Sequence, residues 1–61
     1  MMREELIELI RAAQENGQTF KGWTYMEIAG DIIAYTDLDY PQTDIAEELV
    51  SLTKTGELTF G

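Results

Sequence analysis

The sequence predicts a mainly α fold of the α+β class, in which three helices form a bundle and two short strands pair beside it. The helices are indicated by three segments with apolar residues at helical spacing, separated by turn residues at Asn16–Gly17 and Tyr40–Pro41. The strands are indicated by polar–apolar alternation in residues 57–60, for which residues 18–20 are the available extended partner. A chain of 61 residues has room for one small core, so we expect a single domain over residues 1–61.

The first predicted helix covers residues 2–15. When successive residues are rotated by about 100°, the apolar side chains fall on one face and the glutamates on the other, as in an amphipathic helix. The apolar face consists of Met2, Leu6, Leu9, Ile10 and Ala13. Asn16 and Gly17 both tolerate positive φ, so we expect the helix to end there.

The second predicted helix begins near Thr24 and ends at about Thr36. Thr24 followed by Glu27 fits a capping box, in which each side chain satisfies a backbone N–H of the other residue. Apolar residues cover most of the circumference and leave only a narrow strip of small or charged residues. That strip consists of Glu27, Gly30, Asp31 and Ala34. The pattern predicts that this helix is the buried centre of the bundle.

The third predicted helix starts between Pro41 and Asp44, because proline disfavours helix at the residue before it and is tolerated in a first turn. Gly56 is expected to cap its end. The face predicted to point inward consists of Ile45, Ala46, Leu49, Leu52 and Thr53. The face predicted to point outward consists of Asp44, Glu47, Glu48, Ser51 and Lys54. The outward face is therefore mainly acidic.

This order of elements resembles a winged helix, which is a form of the helix-turn-helix domain. Residues 25–29 (YMEIA) look like the start of that family's second helix, and residues 44–49 (DIAEEL) with residues 55–58 (TGEL) look like its third helix and the start of the wing. The resemblance covers residues 2–60 but leaves the wing truncated to one strand. It implies a third helix that reads DNA, yet affinity for DNA comes mostly from Lys and Arg, and this helix would meet phosphate with carboxylates.

Composition narrows the function classes. The chain has twelve acidic and four basic residues, a net charge of -8, and neither cysteine nor histidine. Disulfides, thiolate metal sites and imidazole ligands are therefore excluded. No apolar run is long enough to cross a bilayer, so we expect a cytoplasmic protein, in the host cytoplasm if a phage encodes it, with no membrane partner.

We do not expect an enzyme, a cofactor or a metal site. Ser51 is the only serine, no histidine can activate it, and no glycine-rich phosphate loop is present. Asp37, Asp39 and Glu48 have the spacing of positions 1, 3 and 12 of a calcium loop. Position 6 of such a loop requires glycine, and here it is Gln42, so the calcium-loop interpretation fails.

Residues 22–53 contain seven acidic residues and no basic one. A solvated surface kept soluble by charge is one explanation. The other is that spaced carboxylates imitate DNA phosphates, with Tyr35, Leu38 and Tyr40 as anchors among them, although those anchors could instead close the core at the turn. The candidate partner-binding residues are Glu27, Asp31, Tyr35, Asp37, Leu38, Asp39, Tyr40, Asp44, Glu47 and Glu48.

By size and charge the chain is similar to small acidic phage inhibitors such as anti-CRISPR proteins. The similarity implies a DNA mimic that blocks a basic nucleic-acid-binding host protein and makes no direct contact with nucleic acid. The alternative is a winged-helix-like regulatory or assembly module that acts through protein–protein contacts. A homodimer also stays open, because Ile7 and Val50 lie off the main apolar stripes.

Overall fold

A computed structural model of the chain describes residues 1–60 and contains three helices, α1 (Met2–Glu15), α2 (Tyr25–Tyr35) and α3 (Gln42–Lys54). The predicted mainly α architecture and the three helix positions are confirmed. Among residues 1–60, none of these helices is long and apolar enough to cross a membrane.

The capping box at the start of α2 is present as predicted. The Thr24 hydroxyl accepts the backbone N–H of Glu27 at 3.1 Å, and the Glu27 carboxylate accepts the backbone N–H of Thr24 at 2.8 Å. Two backbone donors that would otherwise have no partner are satisfied in this way. The Glu27 carboxylate therefore has a structural role in its own helix.

Two residues beyond the last residue of α1 and of α3, the chain turns at a glycine with positive φ, a conformation that residues with a Cβ rarely adopt. The φ angles are 93° at Gly17 and 82° at Gly56. After each glycine, the next backbone N–H reaches back to a carbonyl in the last turn of the helix. These bonds join Gln18 to Ala13 and Glu57 to Leu52, each at 3.0 Å. The predicted glycine caps are confirmed.

The predicted strand pairing of residues 18–20 with residues 57–60 is wrong, since residues 1–60 contain no strand. The physical reason is that the helix ends already use the backbone groups that a ladder would need. The N–H groups of Gln18 and Glu57 are donated to the helices, and the Thr59 carbonyl accepts from the Gln14 side chain at 2.8 Å. The two segments instead meet through the rings of Phe20 and Phe60, whose centroids are 5.7 Å apart.

The central helix is α3, because it packs against both α1 and α2. Four of the five side chains predicted to point inward are buried, and the fifth, Thr53, is half-buried. The core consists of Leu6, Ile10, Phe20, Ile28, Ala29, Ile32, Ile45, Ala46, Leu49, Leu52 and Leu58.

The prediction that α2 is the buried centre is wrong. Only three of its residues are buried, whereas Met26 is 43% exposed, Ile33 is 37% exposed and Tyr35 is 82% exposed. A chain this short buries a smaller share of its surface than a larger domain does, about 60%. One side of α2 packs against α3, and too little chain remains to cover its far side. One side of α2 therefore presents apolar side chains to solvent.

Candidate partner-binding surface

A groove runs between α1 and the turn that joins α2 to α3. Its volume is about 480 Å³. Most of the surface that lines it is apolar, and carboxylates stand on both of its sides. The lining residues are Glu5, Glu8, Leu9 and Ala12 from α1 and Thr36, Asp37 and Leu38 from the turn. We call this feature the α1–turn groove.

The turn side of the α1–turn groove is positioned by Thr36. Its backbone leaves the helix in an extended conformation, and its hydroxyl donates to the Ile32 carbonyl at 2.6 Å. The same hydroxyl oxygen accepts the N–H of Leu38 at 3.4 Å. Leu38 is half-buried against the core and so forms a fixed apolar wall opposite Leu9.

Tyr40 ties the turn to α1. Its hydroxyl donates to the Glu5 carboxylate at 2.9 Å, and the ring packs against the core. The hydrogen bond to Glu5 raises the pKa of Tyr40 above the usual 10.0, because only the protonated phenol can donate, and burial and repulsion by the Glu5 charge act in the same direction. The carboxylate of Glu5 is thus held at one end of the α1–turn groove.

The raised pKa of Tyr40 gives a testable pH dependence. A pKa raised in the folded state stabilises the fold below the unfolded pKa of about 10, and that stabilisation is lost as pH rises through the folded pKa. In the Glu5→Gln variant the acceptor carries no charge, so we expect the pKa of Tyr40 to fall toward its ordinary value. NMR titration of the Tyr40 ring measures this, with Glu4→Gln as the control of equal charge change. An unchanged Tyr40 pKa in Glu5→Gln would contradict the contact.

A second depression lies between the start of α1 and the first half of α3. It is lined by Met2 together with Asp44, Glu47 and Glu48. Met2 and Glu5 are three residues apart on α1 and therefore lie on the same face of that helix. The second depression and the α1–turn groove consequently adjoin along α1. We call the surface that they form together the acidic edge; its carboxylates are Glu5, Glu8, Asp37, Asp44, Glu47 and Glu48.

Arg3 is turned toward residues 55–60, which follow α3 and which we call the tail. Its guanidinium lies 3.0 Å from the Glu48 carboxylate and 2.6 Å from the Glu57 carboxylate. Arg11 also contacts this tail, because its guanidinium donates to the Glu57 carbonyl at 3.2 Å. Two of the four basic side chains therefore hold the tail against α1 and α3.

Within residues 1–60, most of the acidic side chains have no cationic partner. Of the twelve carboxylates, only those of Glu5, Glu48 and Glu57 form ion pairs among residues 1–60, which leaves nine without one. Eight of these nine residues are exposed, and Asp31 is half-buried. Uncompensated surface charges of one sign attract oppositely charged partners over about a Debye length.

The structure brings together six of the ten side chains predicted from the sequence. Asp37 and Leu38 line the α1–turn groove and Tyr40 bonds to Glu5 at its end, while the remaining three line the second depression. Those three are Asp44, Glu47 and Glu48. Asp39 is exposed in the turn that lies between them.

The other predicted side chains lie on α2, away from both depressions. Glu27 serves the capping box, Asp31 is half-buried, and Tyr35 projects into solvent. The strip on α2 is also partly covered, since the Gln42 side chain bonds to the Met26 carbonyl at 2.9 Å and lies against Gly30.

Sequence reasoning missed the contribution of α1 to the acidic edge. The amphipathic pattern of the first helix places Leu9 on the apolar face and Glu5 and Glu8, with the other glutamates, on the opposite face. The available signal was spacing, because Glu5, Leu9 and Ala12 repeat at intervals of four and three residues and so share one face of a helix. That face borders the predicted inward face, which is where a groove between packed elements opens.

Comparisons of the chain with protein-family models, with curated proteins and with solved structures found no match.

Proposed function

We propose that this protein binds a basic surface on a nucleic-acid-binding protein and blocks it, as an acidic inhibitor of the anti-CRISPR or anti-restriction type does in the host cytoplasm. The observation that supports the proposal best is the set of nine carboxylates without a cationic partner among residues 1–60. Carboxylates held at a surface without compensating cations resemble the phosphates that a DNA-binding groove accepts.

The acidic edge also contains apolar surface, which a charged surface that serves only solubility would not need. Leu9 and Leu38 are half-buried at the α1–turn groove, and Met2 lies among the acids of α3. Apolar anchors surrounded by charged groups are the usual anatomy of a protein interface, in which the anchors supply affinity and the charges supply association rate and partner choice. The combination favours a protein partner over a solvated surface.

The proposal is tested by capture on the immobilised protein. A bacterial lysate is passed over it at low and at moderate salt, and bound proteins are identified by mass spectrometry. We expect basic nucleic-acid-binding proteins to be enriched and to be released as salt rises. A captured set without such proteins would contradict the proposal.

The isolated protein is expected to bind neither duplex DNA nor RNA. Affinity for a duplex comes mostly from Lys and Arg contacts to phosphates, and here Arg3 and Arg11 are already engaged with the tail. Fluorescence anisotropy of labelled DNA and RNA duplexes measures this directly. Saturable micromolar binding at physiological salt would overturn the mimic and favour a winged-helix regulator.

A second candidate is a regulatory or assembly module that acts through apolar protein–protein contacts, a second copy of the chain included. It is favoured by the exposed side of α2, where Met26 and Ile33 are 43% and 37% exposed. Trp23 and Tyr25, at the start of α2, are also exposed. Binding through that side would be lost in Met26→Ser with Ile33→Ser and would depend little on salt. Binding through the acidic edge would survive these two substitutions and would weaken as the salt concentration rises.

A further inference from the structure

We infer that the α1–turn groove receives the apolar face of a basic amphipathic helix of the partner protein. This inference rests on the proposed function and names the part of the partner that makes the contact.

The groove has the size and the lining of a binding site. Its volume of about 480 Å³ lies within the range of about 300 to 1,000 Å³ that is typical of ligand sites. Its apolar residues are Leu9, Ala12 and Leu38. Ala12 is exposed and small, so an incoming side chain can approach the α1 backbone closely, whereas Leu9 and Leu38 are half-buried and fixed by the core.

The charges stand on opposite sides of this apolar floor. Glu5 and Glu8 belong to α1, and Asp37 belongs to the turn. An occupant that matches both the floor and the rim carries an apolar stripe with cations on each side of it. A helix whose apolar residues recur at i, i+3, i+4 and i+7 and whose flanking positions are Lys or Arg has this arrangement.

Other recognition modes fit less well. An extended peptide adds to a sheet edge, but residues 1–60 contain no strand. Proline-rich peptides dock between aromatic side chains, and no aromatic residue lines this groove. Capture of a peptide carboxylate or a phosphate needs donors and cations, whereas the charged groups here are carboxylates.

A second copy of this chain does not fit either. Each copy carries a net charge of -8, so two copies repel each other. The four cations are dispersed at positions 3, 11, 21 and 54, and no helix places them on both sides of an apolar stripe. The occupant is therefore a segment of a different, basic protein.

The groove is held open before a partner arrives. The Tyr40 hydroxyl bonds to Glu5 at 2.9 Å and joins the two walls, and the Thr36 hydroxyl fixes the backbone at Leu38. A site that is already formed loses less conformational entropy on binding. The helix of the partner can thus dock without rearrangement of this fold.

The test uses a synthetic helix of roughly four turns, about 14 residues, with leucines at i, i+3, i+4 and i+7 and arginines on the flanking positions. Titration calorimetry against the whole protein is expected to show saturable binding of one peptide per chain. A peptide with the same leucines and with glutamines in place of the arginines is expected to bind at least about tenfold more weakly.

Two protein variants separate docking in the groove from general attraction to negative charge. Ala12→Trp fills the groove without changing the charge and is expected to weaken peptide binding at least about tenfold. Its matched control is Ala34→Trp, at an exposed alanine of α2 outside the groove, which is expected to bind as the natural protein does. Circular dichroism checks that both variants keep their helices.

Equal peptide affinity of Ala12→Trp and Ala34→Trp, or no saturable binding by the natural protein, would overturn the inference. Capture from lysate keeps the two proposals distinguishable. If basic nucleic-acid-binding proteins are captured equally well by Ala12→Trp, the groove inference fails and the proposed function stands. If the arginine peptide occupies the groove but no such protein is captured, the proposed function fails and the groove inference stands.

Discussion

Replacing Ile32 by alanine is expected to lower the free energy of unfolding by about 2 to 5 kcal/mol. The side chain is 5% exposed and lies in the core beside residues of α3. Small domains are only marginally stable, so a loss of this size would leave much of the Ile32→Ala protein unfolded at room temperature. Urea denaturation followed by circular dichroism measures the change.

The next residue supplies a matched control. Ile33 has the same side chain in the same helix but is 37% exposed, so Ile33→Ala is expected to cost less than about 1 kcal/mol. Equal losses in the two variants would mean that α2 is buried all round, as its sequence pattern predicts, and would contradict the exposure of Ile33.

Removing two carboxylates of the acidic edge is expected to weaken partner binding roughly tenfold, mainly through slower association. Asp44→Asn combined with Glu47→Gln is the informative pair, because both residues line the depression beside Met2 and neither forms an ion pair among residues 1–60. Lower self-repulsion stabilises the fold, whereas loss of the Asp44 charge from the first turn of α3 removes about 0.3 to 1 kcal/mol of helix-dipole stabilisation. The two effects are of opposite sign, so the fold should stay intact. Surface plasmon resonance with a captured partner, repeated at several salt concentrations, measures the association and dissociation rates.

Glu4→Gln combined with Glu15→Gln is the control for this pair. It removes the same net charge from exposed positions of α1 that line neither depression. If both pairs weaken binding equally, only the total charge matters and the acidic edge is not an interface. If neither pair has an effect while Leu38→Ala abolishes binding, an apolar patch carries the interaction.

The helices and their ends were predictable because their signals are local. The capping box needs only Thr24 and Glu27, and each glycine cap needs only the residues of the preceding turn. Neither signal involves residues that are distant in the sequence. Pro41 likewise set the start of α3 through its own ring and the residue before it.

The strand pairing was not predictable because the same backbone N–H groups can either pair in a sheet or complete the end of a helix. Alternation in residues 57–60 is compatible with a strand, but the N–H of Glu57 completes the end of α3 instead. The alternating side chains still pack as a strand's would, since Leu58 is buried and Phe60 meets Phe20. Periodicity thus predicted which side chains pack, but not where the backbone hydrogen bonds go.

The burial of α2 and the part of the acidic edge that α1 contributes both depend on how distant segments of the chain pack. An apolar circumference predicts burial only when enough chain exists to cover it, and here Ile33 and Met26 remain exposed. The contact between Tyr40 and Glu5 joins residues 35 positions apart, and no local pattern encodes it. The acids of the turn and of α3 were identified from the sequence, whereas their neighbours on α1 were not.

Competition with duplex DNA distinguishes a DNA mimic from a protein that binds elsewhere on its partner. A basic DNA-binding protein captured by this chain is mixed in solution with this protein carrying a fluorescent label. Unlabelled duplex DNA is then added, and the fluorescence anisotropy of the labelled protein reports the fraction that stays bound to the partner. If the acidic edge occupies the DNA-binding surface, the complex dissociates as DNA binds, and a partner saturated with DNA does not bind this protein. Formation of a stable ternary complex of this protein, its partner and DNA, with an affinity indifferent to salt, would contradict the proposed mimicry.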